Sequence, residues 1–99
     1  MRITEQDPAM VERKVQVLKA VAHPIRLRIV STLAEGATHV NALAEALAVP
    51  QSIVSQQLRI LRMSRLVEAQ REDGLAVYRL TEPHLKDLLG CIERCCPRS

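Results

Sequence analysis

The chain has 99 residues, of which 47% are apolar and only 1% aromatic, and it carries a formal charge of +3. That length suits one domain, residues 1–99, with no room for the deep cleft of a large-pocket enzyme, and the apolar set of Val, Leu, Ile and Ala is a helical composition. The opening MRITEQDPAMVERK lacks the apolar core of a secretory signal and no stretch is long enough to span a membrane.

From Ala9 to Ala22, the residues Val11, Val15, Leu18 and Ala22 recur at helical spacing, predicting an amphipathic first helix ended by His23-Pro24. Pro24 suits the first turn of a second helix, PIRLRIVSTLAEG, stopped by Gly36. Thr38 is placed to cap a short third helix, HVNALAEALAV, which ends before Pro50.

A fourth helix follows in QSIVSQQLRILRMSRL. At about 100° per residue, Ile53, Val54, Leu58, Ile60 and Leu61 fall on one side and Ser52, Ser55, Gln56, Arg59 and Arg62 on the other. Solvated helix faces usually mix both signs of charge, yet there is no acid between Gln51 and Leu66. Next, LVEAQ and LAVYRL flank REDGL, and Asp73-Gly74 signals a tight hairpin turn. The arms carry Arg71, Arg79 and the sole aromatic residue, Tyr78. Thr81 is expected to cap a last helix, with Pro83 in its first turn, running from Glu82 to about Cys95.

The predicted fold is therefore mainly α with a β-hairpin wing, in the order α-α-α-α-β-β-α: a winged helix-turn-helix. The B-form major groove admits one α-helix, and Gln, Ser and Arg can hydrogen-bond base edges and phosphates. Gln51, Ser52, Ser55, Gln56, Arg59 and Arg62 are the expected DNA contacts, with Arg71 or Arg79 laid along the backbone or in the neighbouring minor groove. The apolar residues of the first helix, with Leu85, Leu88, Leu89 and Ile92 of the last, exceed what one small core covers. A homodimer through those helices would bury the excess and set two recognition helices about 34 Å apart on an imperfect palindrome.

The segments LKAVAHPIRLRIVSTL, VNALAEALAVPQSIVSQQLRILRMSRLVEAQRED and YRLTEPHLKDLL run in the order and spacing of the ArsR/SmtB family of bacterial repressors, which the chain resembles over nearly its whole length. The lack of a signal or span reads as cytoplasmic, and the resemblance implies a homodimeric repressor that binds double-stranded DNA, needing no cofactor, with Gln51, Ser52, Ser55 and Gln56 where the family reads its operator. The family's arsenic site in the third helix is absent here: His39 and Asn41 stand in place of its two cysteines. Its zinc site across the last helices is matched only in part. Glu82 and His84 fit the first half, while Cys95 and Arg98 occupy the second, and Arg is no ligand.

All three cysteines, Cys91, Cys95 and Cys96, lie in the last nine residues. An odd count without a secretion signal points to a reducing cytosol, where thiols act as ligands or redox groups. Cys91 and Cys95 share a helix face with β-carbons about 5–6 Å apart, and Pro97 disfavours helical geometry at Cys96, which can then swing back toward them. Three thiolates without a firm fourth ligand suit a trigonal-pyramidal metalloid, As(III) or Sb(III), better than tetrahedral zinc. Some members of the resembled family bind arsenite through cysteines of this terminal helix. The expected function is thus a repressor of a metal(loid) resistance operon, induced through the terminal thiols. Its alternatives are a redox- or reactive-sulfur-responsive repressor, although the second helix offers Ser31 and no thiol, a zinc- or cadmium-responsive repressor, or a thiol-based metal-sequestering protein. No Cys-His constellation with a pocket suggests an enzyme.

Overall fold

Helix α1 (Pro8–Val21) begins where the Asp7 carboxylate accepts the Ala9 N–H at 2.9 Å, with Pro8 supplying a first-turn residue that needs no donor. A computed structural model describes residues 7–82 and 84–96. The remaining elements lie close to their predicted bounds, because Pro and the tight turn mark them: α2 spans Pro24–Glu35, α3 Val40–Leu47, α4 Gln51–Met63, β2 Val67–Glu72, β3 Leu75–Leu80 and α5 His84–Cys95.

Two helix caps differ from expectation. Thr38 does not cap α3; it forms with His39 a short strand, β1 (Thr38–His39), paired antiparallel with Tyr78 and Val77 of β3. The cap is His39, whose Nδ1 accepts the Ala42 N–H at 3.3 Å. Thr81 likewise is not seen capping α5; its hydroxyl turns to the Arg65 carbonyl, donating at 2.6 Å. Glu82 takes the role, its carboxylate accepting the His84 N–H at 3.1 Å. The expectation for Pro83 lies outside the described residues.

The sheet runs β1-β3-β2, antiparallel throughout. Asp73 and Gly74 both adopt positive φ, 52° and 82°, the conformation a two-residue hairpin of matching twist requires. Both helices of the helix-turn-helix unit end on a left-handed residue that is not glycine, Ala48 (φ 55°) and Arg65 (φ 62°). The following amides, Val49 and Leu66, reach back to the carbonyls of Ala44 and Leu61 at 3.1 and 3.0 Å, closing each helix end.

Helix α2 is the centre of the molecule and packs against α1, α3, α4, α5 and β3. Ile29, Val30, Leu43, Val54, Leu58, Leu61 and Leu66 are fully buried. Leu85 and Leu89 of α5 also belong to this core, so the surplus apolar surface is concentrated on α1, where Met10, Val11, Val15 and Leu18 are exposed. No described helix is long and apolar enough to cross a membrane.

Candidate nucleic-acid interface and terminal thiols

Helix α4 turns one face inward through Val54, Leu58 and Leu61, which are fully buried. That leaves Gln51, Ser52, Ser55, Gln56, Arg59 and Arg62 exposed, as their spacing predicts. Ser52, Ile53, Ser55, Gln56 and Arg59 line a shallow concavity on this face. Ile60, placed by periodicity on the apolar side, is 36% exposed at its margin. The N-terminus of α4 carries no side-chain cap and no acid in its first turn. Uncapped first-turn amides and the positive end of the helix dipole suit a phosphate oxygen.

The wing brings its two arginines to different situations. Arg71 folds over the turn and donates to the Gly74 carbonyl at 2.9 Å, remaining exposed. Arg79 pairs with Glu72 at 2.7 Å and donates to Gln70. Its charge is therefore balanced within the wing.

Two of the histidines, His23 and His39, stand at helix starts. His23 Nδ1 accepts the amides of Ile25 and Arg26 at 3.2 and 3.5 Å, and His39 caps α3, so both rings act as caps. Asn41 is exposed beside His39. At the start of α5 the His84 ring stands 2.8 Å from Glu82. The hydrogen bond from the His84 amide, reinforced by its ring and by the nearby Arg13 guanidinium, holds the Glu82 carboxyl below its ordinary value.

Cys91, Cys95 and Cys96 are all exposed and form no disulfide. Cys91 and Cys95 lie one turn apart on α5, and Arg94 Nη2 approaches the Cys91 sulfur at 3.3 Å. Cys96 does not swing back: its amide donates to the Ile92 carbonyl at 3.0 Å, continuing the helical ladder. Consequently no cluster of three or more His, Cys, Asp or Glu side chains able to hold a metal ion forms among the described residues. Pro97 and Arg98 lie outside them.

Sequence spacing gave no sign of three further polar residues that grip the helices. Arg26 donates to Ala20 and Gln57, Arg28 to the Leu47 carbonyl at 2.7 Å, and Arg13 to the Ser64 carbonyl at 3.0 Å. The partners are up to 51 residues apart, beyond the reach of helical periodicity.

Residues 23–69, which hold α2, α3, α4 and the first residues of β2, match the bacterial regulatory protein family arsR. The biofilm growth-associated repressor of Agrobacterium fabrum is 42% identical over 88 residues, covering 86% of this chain and 75% of that one. The chain belongs to the arsR family. The regulator also superposes on the crystal structure of the transcriptional repressor BigR from Xylella fastidiosa with a TM-score of 0.88 at 32% identity, covering 99% and 100% of the two chains. A homodimeric winged helix-turn-helix DNA-binding domain from Mycobacterium bovis gives a TM-score of 0.80 at 30% identity, over 92% of this chain and 84% of that one. The regulator is thus a winged helix-turn-helix transcriptional repressor rather than an enzyme.

Proposed function

We propose that the regulator is a cytoplasmic homodimer that represses a metal(loid) resistance operon and leaves its operator when As(III) or Sb(III) binds Cys91, Cys95 and Cys96. The observation that carries the sensing half is the confinement of every thiol to the end of α5, exposed to solvent, with Cys91 and Cys95 one turn apart. The exposed stripe of Met10, Val11, Val15 and Leu18 supports pairing through α1 and α5, as does the homodimeric Mycobacterium bovis relative.

In this reading α4 enters the major groove with Gln51, Ser52, Ser55, Gln56, Arg59 and Arg62, while Arg71 and Arg79 of the wing meet the backbone. A trigonal ion would need Cys96 to give up its bond to Ile92, so that ligation and unwinding of the last turn of α5 occur together. Coupling that movement to DNA release requires a bias of about 1–3 kcal/mol between the two geometries. No resident cofactor takes part.

A second reading, release by an oxidant or reactive sulfur species, is favoured by the absence of a gathered thiol triad among the described residues and by the Arg94 guanidinium beside Cys91. One experiment separates the two. Gel shifts on the protein's own upstream promoter are run with arsenite, antimonite, zinc, peroxide and persulfide, using wild type and Cys91→Ser, Cys95→Ser and Cys96→Ser. Release by arsenite or antimonite that all three substitutions abolish is expected. Operator affinity indifferent to both metalloids would refute the metalloid reading, and release by peroxide or persulfide alone would establish the second.

A further inference from the structure

The sequence HPIR opens α2 but takes no part in the DNA face or the thiols. Its hydrogen bonds show what it does. His23 fixes the first turn of α2 through the amides of Ile25 and Arg26. From that turn the Arg26 guanidinium reaches two other helices. Nε donates to the Ala20 carbonyl near the end of α1 at 2.6 Å, and Nη1 donates to Gln57 Oε1 on α4 at 2.8 Å. Arg26 and Gln57 are both half-buried, so water replaces neither bond without loss.

A second link joins the same two helices. Arg13, within α1, donates to the carbonyl of Ser64, the residue that ends α4. Arg13 also borders the groove between α1 and α5, beside Glu82 and Leu88. Gln57 and Ser64 are seven residues apart, about 10 Å along a helix axis. The buried face of α4 already seats it on the core, and these two links, one half-buried and one exposed, add constraints on its direction at separated points.

We propose that Arg13 and Arg26 are positioning residues for operator recognition, fixing the direction of α4 relative to α1 and thereby the spacing of the two recognition helices across the dimer. Gln57 directly follows Gln56, so the bond that holds Gln57 also holds the backbone of a residue on the exposed face. A dimer reading half-sites one turn apart depends on that direction. The role rests on α4 meeting DNA and on chains pairing through α1, and it is independent of the inducer.

The test measures binding of the full chain, at fixed salt, to a palindrome from its own upstream region, to versions with one central base pair inserted or deleted, and to a random duplex. Wild type is expected to prefer the natural spacing by about tenfold or more. Arg13→Ala, Arg26→Ala and Gln57→Ala each lower that preference severalfold, while affinity for the random duplex changes within about twofold because its phosphate contacts persist. Gln57→Glu keeps an acceptor for Arg26 and restores the preference. Should Arg26→Ala fail to fold, Gln57→Ala cuts the same link and leaves the bond to Ala20 in place. Variants that lose stability yet keep the spacing preference, or that weaken on all duplexes alike, would overturn the role. A wild-type chain indifferent to spacing would instead overturn the dimeric reading beneath it.

Discussion

Arg79 reaches from β3 across the wing to Glu72 on β2, with Nη2 2.7 Å from Oε2. Both side chains are partly exposed, so the pair contributes little to stability and a phosphate can compete for the guanidinium. Replacing Glu72 with Gln removes the competitor and one negative charge. Operator affinity is expected to rise about three- to tenfold at low salt, and the dependence of log K on log salt to steepen by about one phosphate contact. Gel shifts at four salt concentrations measure both; unchanged affinity and slope would place the wing away from the backbone.

The two faces of α4 should separate in mutagenesis. Leu58 is fully buried, and Leu58→Ala is expected to cost about 2–5 kcal/mol of folding stability. Gln56 is exposed, and Gln56→Ala is expected to leave the melting temperature alone while weakening specific binding by about 1–3 kcal/mol. Thermal melts and gel shifts on the same two variants check the division. Equal melting losses would put Gln56 in a structural role.

A histidine cap also makes a sharp expectation. His39→Ala deletes the acceptor for Ala42 and should destabilise the chain by about 1 kcal/mol, whereas His39→Asn, a better cap, should recover most of it. Urea midpoints of the three proteins decide the point. A histidine acting as a metal ligand would instead show zinc-dependent stability that Asn does not restore.

These caps mark where periodicity stops being informative. The helix-turn-helix, the wing and the exposed face of α4 could be read from local signals: Pro24, Gly36, Pro50, Asp73-Gly74 and the alternation of apolar and polar residues. Thr38 and Thr81 look like caps in isolation, but strand pairing with Tyr78 and the carbonyl of Arg65 claim them, and both partners are remote in sequence. Helix α4 ends at Met63, three residues before the end that spacing predicts, because helices commonly stop at glycine and here Arg65 adopts the left-handed conformation instead. The arginine links escaped for the same reason as the threonines. At the thiols, spacing predicts that Cys91 and Cys95 lie one turn apart on the last helix, as they do on α5, while Cys96 keeps its amide in the helical ladder, which its place before Pro97 does not foretell.

Acid should reveal the Glu82 cap. Folding lowers its pKa, so the folded chain favours the carboxylate more than the unfolded chain does. That stabilisation is complete above the ordinary value of 4.5 and is lost as pH falls through the lower folded value. Glu82→Gln carries no such charge to lose. Between about pH 6 and pH 3 its urea midpoint should fall less than that of the wild type; parallel curves would show that the hydrogen bond to His84 does not hold in solution.

The uncovered residues of α1 have a bearing on how the regulator responds to its own abundance. If Met10, Val11, Val15 and Leu18 are shielded only when two copies meet, mass action ties heat resistance to dose, and dilution alone should soften the fold. A cell holding few copies would then keep part of its stock as lone chains with those greasy residues wet, unable to grip both halves of a palindrome. Scarcity would loosen repression before any inducer arrived.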